Sequence, residues 1–136
     1  MHASLIPTDD EHHWVLLDHQ VTALTFDPRA LRLQTWSLDG STDVRVAAPF
    51  TLRVAGAAER TLDPIETLTL APALALLRRR LASLTITRAG ELTAEFSDGG
   101  ALVVAADRRA VAWEVQGGGA LEGMAYRAPT AGEPLW

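Results

Sequence analysis

The chain has 136 residues, a formal charge of −5 and no cysteine, and 48% of it is hydrophobic. That length and hydrophobic share suffice for one domain with a core of its own, while the missing thiols exclude disulfide staples, zinc–thiolate and iron–sulfur sites and a cysteine nucleophile. All twelve basic residues are Arg and neither Lys nor Asn occurs, a bias that reads as that of a GC-rich bacterial genome, and the net negative charge argues against general affinity for nucleic acid or an anionic membrane.

In chain order, residues 1–13 read as a flexible, irregular arm and 14–136 as a single α+β domain. The arm carries Asp9, Asp10 and Glu11 where a signal peptide would be apolar. No run approaches the roughly 18 apolar residues of a membrane span, so the cytoplasm is the expected location. Order is expected from Trp14. Residues 21–26 then form a strand with Leu24 and Phe26 on one face, and 31–35 alternate apolar with polar side chains at period two. Asp39-Gly40 signals a turn, followed by Val44 and Val46 and then Phe50, Leu52 and Val54, with Pro49 marking a bend or an edge.

Around Leu62 the pattern changes. Asp63 is placed as a helix cap, Pro64 as the first helical position, and Glu66 stands three residues after the cap. Pro72 breaks the helix, and Leu74, Leu77 and Leu81 continue it at helical spacing. Arg78, Arg79 and Arg80 then fall in the last turn, where cations are favoured. Further strands follow through Leu84 and Ile86, through Leu92, Ala94 and Phe96, at 102–104, and through Val111, Trp113 and Val115. Gly117, Gly118 and Gly119 read as a hairpin turn before a last strand near 121–126, and the terminal Leu135-Trp136 is expected to pack, because a free indole leaves much apolar area in water.

Two stretches look alike. Thr22, Leu24 and Phe26 lie sixty residues before Ala82, Leu84 and Ile86, and each set is followed by an Arg-Ala pair and an Asp-Gly turn. The expected fold is therefore α+β: two antiparallel β units forming a pseudo-repeat, joined by a broken helix packed on one sheet face. Leu24, Phe26, Leu84 and Ile86 should be buried as equivalents.

The chemistry-bearing residues form no catalytic constellation. His12 and His13 adjoin three acids, yet neighbouring side chains diverge on a strand and on a helix, so a shared metal is disfavoured. His2 and His19 are isolated and read as surface residues. No serine sits in a glycine-flanked elbow, and the glycine run lacks the Lys and helix start of a phosphate loop. The aromatics Trp36, Phe50, Phe96 and Trp113 read mostly as core.

The order of the Asp-Gly turn, Asp107-Arg-Arg, Ala112-Trp113-Glu114 and Gly132-Glu133-Pro-Leu-Trp136, with 21–27, Pro49-Phe50, Leu62-Asp63-Pro64 and 74–77 before it, resembles a family of small, mostly actinobacterial proteins of unknown function. The resemblance covers most of 19–136 and implies no activity, cofactor or catalytic residue. The functional expectation is a non-catalytic bacterial protein-binding domain without a cofactor. Immunity to a toxin is one such role, an analogy of type alone. Its partner would be a protein with a basic surface rather than a nucleic acid or membrane, met by Asp9, Asp10 and Glu11; self-association stays open. The alternative is a small-molecule binder or enzyme with a pocket between the two β units.

Overall fold

A computed structural model describes residues 4–136. It holds strands β1 (Ser4–Pro7), β2 (Glu11–Asp27), β3 (Ala30–Ser37), β4 (Gly40–Val46), β5 (Phe50–Arg53) and β6 (Arg60–Leu62), then a 3-10 helix (Thr67–Leu76), then β7 (Arg80–Thr87), β8 (Leu92–Phe96), β9 (Ala101–Val104), β10 (Trp113–Gly119) and β11 (Ala125–Arg127). All strands belong to one antiparallel sheet in the order β11-β10-β4-β3-β2-β7-β8-β9-β5-β6, with β1 paired to the first half of β2. This overturns the α+β expectation. The protein is mostly β, and it has one continuous sheet rather than two separate units bridged by a helix. Among the described residues, Ser4–Pro7 are paired and pairing continues from Glu11, so much of the stretch read as an irregular arm is extended and hydrogen-bonded. His2 lies outside the described residues.

The helical segment differs for a local reason. Pro72 sits inside it, where it lacks the amide an α-helix needs and its ring crowds the preceding turn. The segment closes as a 3-10 helix, and its three-residue period buries Leu70, Ala73 and Leu76. Leu74 and Leu77, placed inward on a 3.6-residue period, are exposed instead. Asp63 does not cap the helix: its Oδ1 accepts the Ile65 N–H in a turn before it, and the N-cap position is Glu66, with no side-chain cap. The three arginines also separate. Arg78 has φ 68, while Arg79 and Arg80 pair with Asp98 and Asp18 at 2.7 and 3.0 Å.

The strand order is palindromic about the β2–β7 pair. Each of two three-strand meanders, β2-β3-β4 and β7-β8-β9, is completed by the strand that follows the other one: β10 pairs with β4, and β5 pairs with β9. The hairpin partners β11 and β6 then occupy the two outer ends. Because the chain crosses over twice in this way, the halves share one core cluster that draws on β3, β4 and β10 as well as β5, β7, β8 and β9. A single core spanning both ends of the strand order requires the sheet to bend over on itself. Trp113 fixes the closure. Its fully buried indole donates from Nε1 to Gly90 O in the β7–β8 turn at 2.8 Å.

Gly117, Gly118 and Gly119 are strand residues of β10 facing Thr42, Ser41 and Gly40, not a hairpin turn; the turn comes after them. A Cβ at Gly117 would fall 2.0 Å from Leu121 O, so the returning chain packs directly on this backbone.

The 17-residue β2 serves both halves. Its first part, from Glu11 to Gln20, pairs with β7, and its second part, from Gln20 to Asp27, pairs with β3. The ladder shifts between Val15 and His19 and again between Val21 and Ala23, and Asp18 takes a left-handed φ of 58 in the first irregularity. Such bulges bend a strand and let it change partners. They also decide the burial of the paired repeat positions. Leu84 and Ile86 are fully buried between β2 and β8, whereas Leu24 is half-buried and Phe26 is 36% exposed. Phe26 and Leu24 keep the inward phase, opposite buried Leu31 and Leu33, but have a strand on one side only.

Candidate functional site

The β3 alternation places Leu31, Leu33, Thr35 and Ser37 inward and Arg32, Gln34 and Trp36 outward. Trp36 is therefore not core. It is 56% exposed on the polar face of the sheet, opposite Gln20 and Ser41, and Leu38 in the following turn is 94% exposed. The period-two pattern of 31–37 already carried this signal, since Trp36 falls in phase with Arg32 and Gln34. Beside this turn lies a shallow cavity of about 260 Å³ lined by Leu17, Asp18, Ser37, Leu38 and Asp39.

Behind the cavity stands His19, read from sequence as a surface residue and in fact fully buried. The β2 bulge turns it inward. Its Nε2 lies 3.1 Å from Ser37 Oγ and its Nδ1 3.4 Å from Thr35 Oγ1, and Thr35 in turn bonds Thr42. Burial lowers the pKa of the imidazole, against the opposing pull of Asp39 and Asp18. With the ring neutral, one nitrogen donates to a neighbouring hydroxyl and the other accepts from one, so Ser37 and Thr35 satisfy both. Ser37 Oγ also accepts the Asp39 N–H at 3.1 Å. A serine and a histidine at this distance form the core of a nucleophile–base pair, but here a threonine hydroxyl rather than a carboxylate holds the far nitrogen. The serine oxygen is also engaged by the backbone at its own turn. The arrangement satisfies a buried polar group; it does not present an activated nucleophile.

Asp9, Asp10 and Glu11 sit exposed at the β1–β2 turn. Gln20, which lies opposite Trp36, is nine steps along β2 from Glu11, so at about 3.3 Å per step the acidic turn and the Trp36 patch stand up to roughly 30 Å apart. His12 and His13 diverge, as adjacent strand residues must: His12 Nδ1 meets Tyr126 Oη at 2.9 Å and His13 Nδ1 meets Thr85 Oγ1 at 2.8 Å. Among the described residues no group of three His, Cys, Asp or Glu side chains could hold a metal ion. The C-terminal indole does dock. Trp136 stacks on His12 with ring centroids 3.8 Å apart and donates to Asp9 O at 3.1 Å, while Tyr126 Oη also accepts from Trp14 Nε1.

The space between the two halves of the sheet, where a ligand pocket was the alternative expectation, is occupied by Trp113, Phe50, Leu31, Leu84 and other fully buried side chains. An apolar cavity of about 260 Å³ lies at the rim instead, between β5, β6 and the 3-10 helix, lined by Leu52, Val54, Ala57, Ala58, Arg60, Pro72 and Ala75. No helix among the described residues is long and apolar enough to cross a membrane.

No curated protein and no solved structure matches the chain. A family match spans 13–125, which takes in the sheet from β2 into β11, Trp36, the buried His19 network and the Trp113 closure, and stops short of the Gly132-Glu133-Pro-Leu-Trp136 segment. On that span, the chain belongs to a family of unknown function, DUF6188.

Proposed function

We propose that this protein acts by binding another protein, without catalysis, and that Trp36 and Leu38 anchor the contact. The supporting observation is the exposure of Trp36 on a sheet face otherwise lined by Arg32, Gln34, Asp43 and Arg45, with Leu38 fully presented at the adjoining turn. Trp and Arg dominate the energetics of protein interfaces, and a large aromatic ringed by polar groups is the usual form of an anchor. The charge of −5 favours a partner with a basic surface, because it steers encounter and makes association salt-sensitive. Asp9, Asp10 and Glu11 form an acidic surface at the far end of β2 that such a partner would meet through long-range attraction. We place the protein in the bacterial cytoplasm, and inhibition of a toxin is one role it would fill there.

The test is capture of partners on immobilised protein at low and high salt, with Trp36→Ala and Leu38→Asp compared against the unaltered chain. A partner that is released by salt and lost with either variant supports the reading. Retention of every partner by both variants, or turnover of a small molecule that survives repurification, refutes it.

A further inference from the structure

The two halves of the palindromic sheet differ beside the second half of β2. Beside β7, residues 11–15 of β2 form a ladder with 83–87, with Trp14 opposite Leu84 and Glu11 opposite Thr87. Sixty residues earlier, the equivalent stretch 23–27 pairs with β3 on one side. On its other side no strand lies among the described residues. The segment that the repeat assigns to that position, 71–75, is folded into the 3-10 helix. The chain approaches only far enough for Arg78 N–H to bond Val21 O and for Val21 N–H to bond Arg79 O, and the left-handed φ of Arg78 marks where it turns away. Among the described residues, and outside the strand ladders, 22–27 make no backbone–backbone hydrogen bond.

This edge is unlike the other open ones. β6 and β11 are three residues long and each carries an Arg, and β1 ends in Pro7, all devices that discourage pairing. Thr22, Ala23, Leu24, Thr25 and Phe26 include no charge, Gly or Pro. Alternate residues of an edge strand direct their N–H and C=O outward, and here the inward side chains Leu24 and Phe26 are left partly uncovered for want of a neighbour.

We propose that this edge pairs with the same edge of a second copy, the two β2 strands running antiparallel about a two-fold axis near Thr25. That register is self-complementary. Leu24 lies opposite the partner's Phe26 on the inner face, and Asp27, at one end of the edge, comes beside the partner's Arg78 at the other. Arg78 has no ion-pair partner among the described residues and lies in line with the vacant strand position. The second copy would cover Leu24 and Phe26 as the first half of β2 covers Leu84 and Ile86. Isologous pairing of one patch with itself is the commonest way a chain forms a closed dimer. The proposal is independent of the Trp36 contact, which lies on the outer face of the neighbouring strand.

Sedimentation of the purified chain over a range of concentrations is the experiment, together with hydrogen exchange at the Leu24 and Phe26 amides. The expected result is a reversible dimer in which protection of those amides rises with concentration. Phe26→Glu should return the chain to the mass of one copy. Asp27→Arg and Arg78→Asp should each weaken the dimer, and the double variant should restore it, which keeps the proposal testable if Phe26→Glu does not fold. A single-copy mass at every concentration overturns it, as does a dimer indifferent to the charge reversals. Edge protection that appears only when a different protein is added overturns it too, and assigns the edge to that protein.

Discussion

Leu24 and Leu84 carry the same side chain at corresponding places in the two halves of the sheet, and truncating each to Ala measures what the flanking strand contributes. Leu84 is fully buried between β2 and β8, in contact with the common core. Leu84→Ala there removes the transfer free energy of the lost carbons and leaves a cavity the sheet cannot close, so it should cost about 2–5 kcal/mol. Leu24 has β3 on one side and an open edge on the other. Water occupies whatever space its truncation leaves, so the cavity contribution disappears and about half of the transfer contribution remains, for a cost of about 1 kcal/mol. Against a total stability of about 5–15 kcal/mol for a domain, the first change is severe and the second mild. Urea unfolding followed by tryptophan fluorescence reports both as midpoint shifts at constant slope. The measurement should be made at low protein concentration, where self-association does not mask the open edge. Equal midpoint shifts for the two variants would refute the reasoning, because identical residues in identical phase would then be insensitive to the number of flanking strands.

The buried His19 has a pKa lowered below its ordinary 6.5 in the folded protein. The unfolded chain therefore binds the extra proton first, and this residue's contribution to stability, complete above about pH 6.5, should be lost as pH falls from there through the lower folded value; His19→Gln should flatten that part of a plot of urea midpoint against pH. Trp113→Phe removes the 2.8 Å bond to Gly90 O, and the orphaned buried carbonyl alone should cost about 1–3 kcal/mol in the same assay. Gly117→Ala should be destabilising by about 1–3 kcal/mol or prevent folding, because its Cβ meets Leu121 O at 2.0 Å. Gly123→Ala, with nothing within 4 Å, should be neutral or slightly stabilising by comparison of melting temperatures.

Much of the sheet was legible along the chain because a strand writes its faces at period two. The inward phase of Leu31, Leu33, Val44, Val46, Leu92, Ala94 and Phe96 is borne by the burial, and the Asp39-Gly40 and Asp98-Gly99 signals fall at strand-to-strand turns. The same period puts Trp36 outward with Arg32 and Gln34, against the apolar character of its indole. Period two determines which way a side chain points, and nothing about how many strands flank it or what covers the face. Those depend on partners distant in the chain: β5 pairing with β9, β10 with β4, and β2 dividing itself between β3 and β7. Tertiary structure alone therefore exposed Phe26 while burying Ile86, its equivalent, and turned an isolated His19 into the centre of a hydrogen-bonded network at a bulge. It also decided that Leu70, Ala73 and Leu76 of the proline-broken segment are buried in place of Leu74 and Leu77, because packing against the sheet selects which face of so short a helix leaves water.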